Sequence, residues 1–211
     1  MPAFLSKLLA SKSPYTIPRR MRKIFFVLPC LFFLALLSQA GNVHADVPSE
    51  AELALKGSAE AQYYIAQRYY AGQDYKSAAV WLQRAAEQGL AEAQDKLGFM
   101  YYKGKGVRQN KVIAAKWYEK AAEKGFAPSQ YDLGMMYAKG EGVAKDYCKA
   151  SQWYQKAAEQ GLTKAQFQLG LSYGLGNGVI RDRQKGCGLI RSAAEQGDKE
   201  AIEAYNKVCA D

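Results

Sequence analysis

The sequence predicts an all-α fold: an α/α superhelix (solenoid) of about four helix-turn-helix repeats closed by a C-terminal capping helix. Three observations predict it. Trp81, Trp117, Trp153 and Leu189 stand 36 residues apart, and Gly89, Gly125, Gly161 and Gly197 keep the same spacing. Periods of this size mark helical repeat architectures. Within each period, small and apolar residues recur three and four positions apart, which gathers them on one helical face. Each unit is then a pair of short helices that cannot bury its apolar face alone, so function belongs to the stacked surface rather than to one catalytic pocket.

Residues 1–45 read as a leader. Met21, Arg22 and Lys23 precede an apolar run from Ile24 to Leu37, and Val43, His44 and Ala45 end in a residue suited to cleavage after Ala45, the layout of a secretory signal. The run is 14 residues long and interrupted by Pro29, whereas a membrane-spanning helix takes about 20 apolar residues. No membrane insertion is therefore expected after signal cleavage. Either Met1 or Met21 serves as the start. Cys30 does not suit lipid attachment, because Pro29 precedes it and the apolar run continues beyond it.

The formal net charge is +9. Lys7, Lys12, Arg19, Arg20, Arg22 and Lys23 lie in the leader, which holds no acid, so the mature chain keeps an excess of +3. That near-neutral balance offers no concentrated basic face for nucleic acid. The one histidine, His44, is also in the leader. The mature chain therefore lacks the imidazole that a Ser-His-Asp or Cys-His site or a histidine-bearing zinc site needs, and no cofactor or metal is expected.

Residues 46–56 read as a linker, followed by repeats at about 57–89, 90–125, 126–161 and 162–197 and a cap at 198–211. The first repeat carries Ile65-Ala66, Tyr69, Trp81-Leu82, Ala85-Ala86 and Gly89, but lacks four residues around Gly72-Gln73-Asp74, which predicts a tighter inter-helix turn. In the second, a first helix through Ala93, Leu97, Gly98 and Met100-Tyr101 is broken by Gly104-Lys105-Gly106-Val107, a glycine turn. Its second helix gathers Ala114, Trp117, Tyr118, Ala121 and Ala122 on one stripe and ends at Gly125, a left-handed C-cap. The third restates this with Leu133-Gly134, Met136-Tyr137, Gly140-Glu141-Gly142-Val143, Trp153-Tyr154 and Ala157-Ala158. The fourth has Leu169-Gly170, Tyr173, Gly176-Asn177-Gly178-Val179 and Ala193-Ala194, with Leu189-Ile190 where Trp-Tyr stands earlier. Asp198 to Asp211 reads as one more first-type helix without a partner, the polar cap that an open solenoid end requires.

Two recurring residues call for a physical reason. Mid-helix glycine costs about 1 kcal/mol against alanine, so Gly98, Gly134 and Gly170 imply close helix packing in return. The alanine pairs serve the same end, and each tryptophan is expected to fill the space between units. Glu87, Glu123, Glu159 and Glu195 sit just before the closing glycine, where the helix dipole disfavours an acid. The expected offset is that each carboxylate accepts hydrogen bonds from the first amides of the next helix.

The string Leu-Gly-x-Met-Tyr, then Gly-x-Gly-Val, then Ala-x-x-Trp-Tyr-x-Lys-Ala-Ala-Glu-x-Gly, repeated in tandem over residues 57–211, resembles the Sel-one-like repeat family, a tetratricopeptide-like class. The resemblance implies a right-handed superhelix of helix pairs used for protein binding, with no common ligand and no catalytic residue to carry over. It also implies that first helices line the concave side. The groove candidates are then Tyr63, Tyr64, Gln67 and Tyr70 in the first unit, and Asp95, Lys96, Phe99, Tyr102 and Lys103 in the second. Tyr131, Asp132, Met135 and Lys139 follow in the third, and Phe167, Gln168 and Leu171 in the fourth. Aromatic residues are enriched at interface hot spots, which suits a peptide or protein segment as ligand; the alternative is that half of these rings pack against the neighbouring unit.

The mature chain holds Cys148, Cys187 and Cys209, an odd number for an oxidising compartment. Helices flanking the Gly197-Asp198 turn run antiparallel, which sets Cys187 opposite Cys209 and favours that bridge. Cys148 to Cys187, or three reduced thiols, are the alternatives. For an enzyme of the serine β-lactamase type, no mature serine is followed by lysine at the third position, and Lys-Thr-Gly and Ser-Asp-Asn are absent. The expectation is a non-catalytic, monomeric protein-protein interaction scaffold of the bacterial cell envelope, periplasmic or secreted. The alternatives are a secreted host-interaction factor and, more remotely, a β-lactam-binding hydrolase; cell-wall glycan is a competing ligand for the same groove.

Overall fold

The computed structural model describes residues 56–209 together with Glu52 and Ala54. The leader, the cleavage site after Ala45, most of the 46–56 segment and the last two residues of the cap lie outside the described residues. The described chain is helical throughout: α1 (Ala59–Ala71), α2 (Tyr75–Glu87), α3 (Ala91–Lys103), α4 (Lys111–Glu123), α5 (Ala127–Lys139), α6 (Tyr147–Glu159), α7 (Thr163–Leu175), α8 (Arg183–Glu195) and α9 (Lys199–Val208). Consecutive helices pack on one another, pair by pair, which is the all-α solenoid of helix-turn-helix repeats.

Each second helix begins on a side-chain cap. Asp74, Asn110, Asp146 and Asp182 accept the backbone N–H of Ser77, Ile113, Lys149 and Lys185, satisfying one of the four orphan amides of a helix start. Each ends in a Schellman turn for which the alanine pair supplies the carbonyls. In the second unit the Gly125 amide donates to Ala122 O at 3.0 Å and the Phe126 amide to Ala121 O at 3.1 Å, with Gly125 at φ +87°, the left-handed geometry that glycine adopts without strain. The first unit is tighter: Gly72-Gln73-Asp74 alone joins α1 to α2, and Gln73 takes φ +63° there.

The glutamates before the closing glycines do not cap the next helix. α3, α5 and α7 have no side-chain cap at all. Glu87 and Glu159 instead accept from Gln83 and Gln155, one turn back on their own helices, at 2.6 and 2.7 Å. Glutamine stitches the units: Gln94 Nε2 on α3 donates to Ala86 O at 3.0 Å, and Gln130 Nε2 on α5 to Ala122 O at 3.1 Å. Each such bond ties a first helix to the end of the preceding second helix, as a second donor to a carbonyl that also accepts the closing glycine's amide.

The mid-helix glycines make room for the partner helix. A β-carbon on Gly98, Gly134 or Gly170 would come within 3.1, 2.6 or 2.7 Å of Tyr118, Tyr154 or Ile190. Those three side chains, with Leu82 in the first unit, are buried to between 1% and 5% exposure. Burial is shallower for the tryptophans beside them. Trp117 is buried, while Trp81 and Trp153 are half-buried under Arg84 and Lys156, whose cationic heads lie 4.7 and 4.1 Å from the ring centroids. The residue after each tryptophan, more than the tryptophan itself, fills the helix-helix seam.

Candidate functional site: a cavity between the second and third units

α3, α4 and α5 enclose a cavity of about 260 Å³. Phe99, Tyr102 and Lys103 reach it from α3, Tyr118 from α4, and Tyr131, Asp132, Met135 and Lys139 from α5. The i, i+3, i+4 spacing on α3 and α5 turns these side chains to one face. Seven of the predicted groove residues, Phe99, Tyr102, Lys103, Tyr131, Asp132, Met135 and Lys139, thus share one recess. Tyr118, Met136 and Glu141 complete it.

The walls are held from outside. The Tyr102 hydroxyl donates to Glu141 Oε2 at 2.5 Å, and Lys111 Nζ pairs with Glu141 Oε1 at 2.8 Å. The hydrogen bond to Glu141 and burial push the Tyr102 phenol up to about 12, so it remains a donor. The Tyr154 hydroxyl lies 3.1 Å from Met135 Sδ and fixes that thioether from the rear. Asp132 gives the recess an acidic floor. Burial, and then the Asp95 charge, push its carboxyl up to about 6, against Lys164, the Tyr118 hydroxyl and Lys103, which pull it down. Asp95 itself accepts the Ser129 hydroxyl at 2.6 Å, and burial raises it above the usual carboxylate range. Aromatic faces over a partly desolvated carboxylate form a surface that attracts a cation.

The remaining candidates are placed elsewhere. Tyr70 and Lys96 satisfy each other: Lys96 Nζ stands 4.1 Å from the Tyr70 ring, and Tyr75 meets that ring edge-on at 5.0 Å. Tyr63 is half-buried against the first core cluster, and Tyr64 is exposed. Phe167 is 7% exposed and packs with Ile190, Ala193 and Ala201, so its ring belongs to the core and not to a free groove face. Glu141 escaped the sequence reading because its partners Tyr102 and Lys111 come from the preceding unit; its only sequence signal is being an acid at the variable position of a Gly-x-Gly turn. Cys187 and Cys209 form a disulfide with Cα atoms 5.6 Å apart, and Cys148 is free and exposed. Among the described residues, no helix is long and apolar enough to cross a membrane.

A stack of helical hairpins defines a repeat scaffold, a class whose extended surface serves binding. Sel1 repeats match at residues 59–90, 91–126, 127–162 and 163–198, and the chain belongs to the Sel1 repeat family. Proteins of this family are generally non-catalytic scaffolds for protein-protein interaction. Among solved structures, the chain is similar to a protective antigen of uropathogenic Escherichia coli with an SLR fold, at 35% identity and a TM-score of 0.73 over 75% of this chain and 35% of that one. It is also similar to a Sel1 repeat protein from Oxalobacter formigenes, at 38% identity and a TM-score of 0.67 over 72% of this chain and 63% of that one. The chain therefore spans only part of the length of either protein. No curated protein matches it at comparable significance.

Proposed function

We propose that this protein is a non-catalytic interaction scaffold of the bacterial cell envelope that holds a peptide or protein segment along its first helices, with the Phe99–Tyr102–Asp132 recess as the anchoring site. One observation carries the reading: seven groove candidates from two units line a single cavity, with the Asp132 carboxylate at its floor. A disulfide within the chain accords with an oxidising compartment outside the cytoplasm. The test is crosslinking in the native envelope with identification of the captured species, repeated with Phe99→Ala/Tyr102→Ala. The double variant is expected to lose its partner while keeping helicity and cooperative melting; undiminished capture overturns the placement. Purified glycan added as competitor separates sugar from protein as the ligand.

A secreted, host-facing role is the second reading, favoured by the description of the E. coli relative as a protective antigen. Recovery in osmotic-shock fluid supports the envelope role, and recovery in culture medium supports the secreted one.

A further inference from the structure

A second cavity, about 350 Å³, opens between α7, α8 and α9 beside the Cys187–Cys209 disulfide. It occupies the same repeat position as the first recess, two periods on. Leu171 stands for Phe99, Gly174 for Tyr102, Ile190 for Tyr118, Ala204 for Asp132 and Val208 for Met136. At these positions the polar Tyr102, Tyr118 and Asp132 give way to glycine, isoleucine and alanine, while Tyr131 corresponds to Glu203, which does not line the second cavity; the hollow lies where the Tyr102 side chain has no counterpart. A β-carbon on Gly174 would meet nothing within 4 Å. The site is thus an apolar slot at the repeat position where the first recess is polar.

Its rim is cationic. Arg181 Nε donates to Gly174 O at 3.0 Å, and an Arg183 terminal nitrogen donates to Val208 O at 2.7 Å. Each guanidinium spends one donor on a backbone carbonyl that fixes its position and keeps further N–H groups for a ligand. Both arginines are exposed, and among the described residues the one salt bridge is Lys111–Glu141. Two anchored guanidinium groups with no acidic partner among the described residues, at the mouth of an apolar slot, are complementary to a bulky apolar group with a carboxylate beside it.

We infer that this cavity is a binding subsite for a partner polypeptide, taking an aromatic or branched apolar side chain while Arg181 and Arg183 bind an acidic side chain next to it. The choice of a polypeptide over a free lipid rests on the proposed groove reading, since the slot continues the same face; the subsite itself does not. The probe is the pentapeptide acetyl-Gly-Glu-Phe-Glu-Gly amide, titrated into the purified protein with methyl resonances of Leu171, Ile190 and Val208 observed by NMR. Saturable shifts confined to those methyls are expected. Replacing Phe by Ala, or both Glu by Gln, in the peptide should weaken binding by about tenfold or more, the scale of a lost anchor or charge-assisted hydrogen bond. Gly174→Leu, which fills the slot from a position with open space, should abolish the shifts with melting temperature maintained or raised, and Arg181→Gln/Arg183→Gln should reproduce the effect of the Gln peptide. No saturable shift, equal affinity for the Gln peptide, or tighter binding of decanoate than of the peptide overturns the proposal, the last by making the slot a lipid site. Loss of partner capture in Phe99→Ala/Tyr102→Ala bears on the first recess alone, so the two readings fail separately.

Discussion

Tyr154 lies so close over Gly134 that a β-carbon there would stand 2.6 Å from the ring edge, and 3.2 Å from the Ala150 carbonyl one turn back on the same partner helix. At Gly98 the corresponding approach to Tyr118 is 3.1 Å. Alanine gains about 1 kcal/mol in helix propensity at either site, while overpacking a tight seam costs about 1 to 3 kcal/mol. Gly134→Ala should therefore destabilise by about 1 to 2 kcal/mol, whereas Gly98→Ala should fall near zero, since the Tyr118 ring needs to give only slightly. Chemical denaturation of the two variants checks the difference. The first unit shows the alternative solution, Ala66 in place of glycine with the smaller Leu82 opposite, both in one core cluster. Tyr154→Leu should accordingly rescue Gly134→Ala.

Gln160 Nε2 donates to Gln130 Oε1 at 2.8 Å, Gln196 to Gln166 at 2.7 Å and Gln88 to Gln62 at 2.8 Å. The second unit breaks the series. Lys124 stands where glutamine is needed and bonds Gly89 O instead, and Gln94 Oε1 is left buried without a partner. An unmet buried acceptor costs about 1 to 3 kcal/mol, while the exposed lysine contact is worth less. Lys124→Gln is expected to stabilise the protein by about 1 kcal/mol, and an unchanged or lowered melting midpoint would show that water already satisfies Gln94.

The helix pairs were legible because period and composition act together: the alanine pair before the closing glycine recurs in every unit, and the glycine facing the seam in the second, third and fourth. The candidate site was legible in part. Phe99, Tyr102, Tyr131 and Met135 follow once the family resemblance sets the first helices on the concave side, since spacing of three and four then puts each pair on one face of its helix. Phe167 does not follow, because whether a ring at a groove register faces outward or fills a seam depends on the volume left by the next unit. Nor do the inter-unit bonds of Glu141 or the capping of the second helices by Asp74, Asn110, Asp146 and Asp182, although those four recur at the repeat period and could have been read. The error over Glu87 and its counterparts came from treating the macrodipole penalty as requiring a capping partner; at an exposed helix end solvent screening reduces it.

Asp132 should give the stability a distinct pH dependence. Its folded carboxyl sits at about 6, raised first by burial and then by Asp95, against about 3.9 in an unfolded chain. A raised folded value means that the group's contribution is fully present below about 4 and is lost as pH rises through 6. Between those values the fold should lose about 2 to 3 kcal/mol from this carboxyl, the size that a shift of roughly two units implies. Asp132→Asn is expected to flatten the stability profile between pH 4 and 7 and to raise the melting midpoint at neutral pH. Asp95 is raised in the same direction, so a residual slope should remain in Asp132→Asn and vanish in the double variant with Asp95→Asn. An identical profile for wild type and Asp132→Asn would place that carboxyl in solvent.

The terminal helix offers a test of how far stability is shared along the stack. α9 is held to α8 by the Cys187–Cys209 bridge, by the Tyr205 hydroxyl accepting from Arg191 Nε at 2.8 Å, by Arg183 on Val208 O, and by the burial of Ala201. The bridge spans 22 residues of sequence, a loop for which chain-entropy bookkeeping gives about 3 kcal/mol. In a solenoid each unit is coupled to its neighbours alone, so this loss should not spread evenly. Cys187→Ser/Cys209→Ser is expected to open α9 and the adjoining face of α8 to amide hydrogen exchange, with protection in α3 to α6 retained. Exchange mass spectrometry resolves the two regions, and non-reduced peptide mapping of the wild type establishes the bridge independently. A uniform fall in protection from α1 to α9 would mean that the stack unfolds as one unit and that the cap governs all of it.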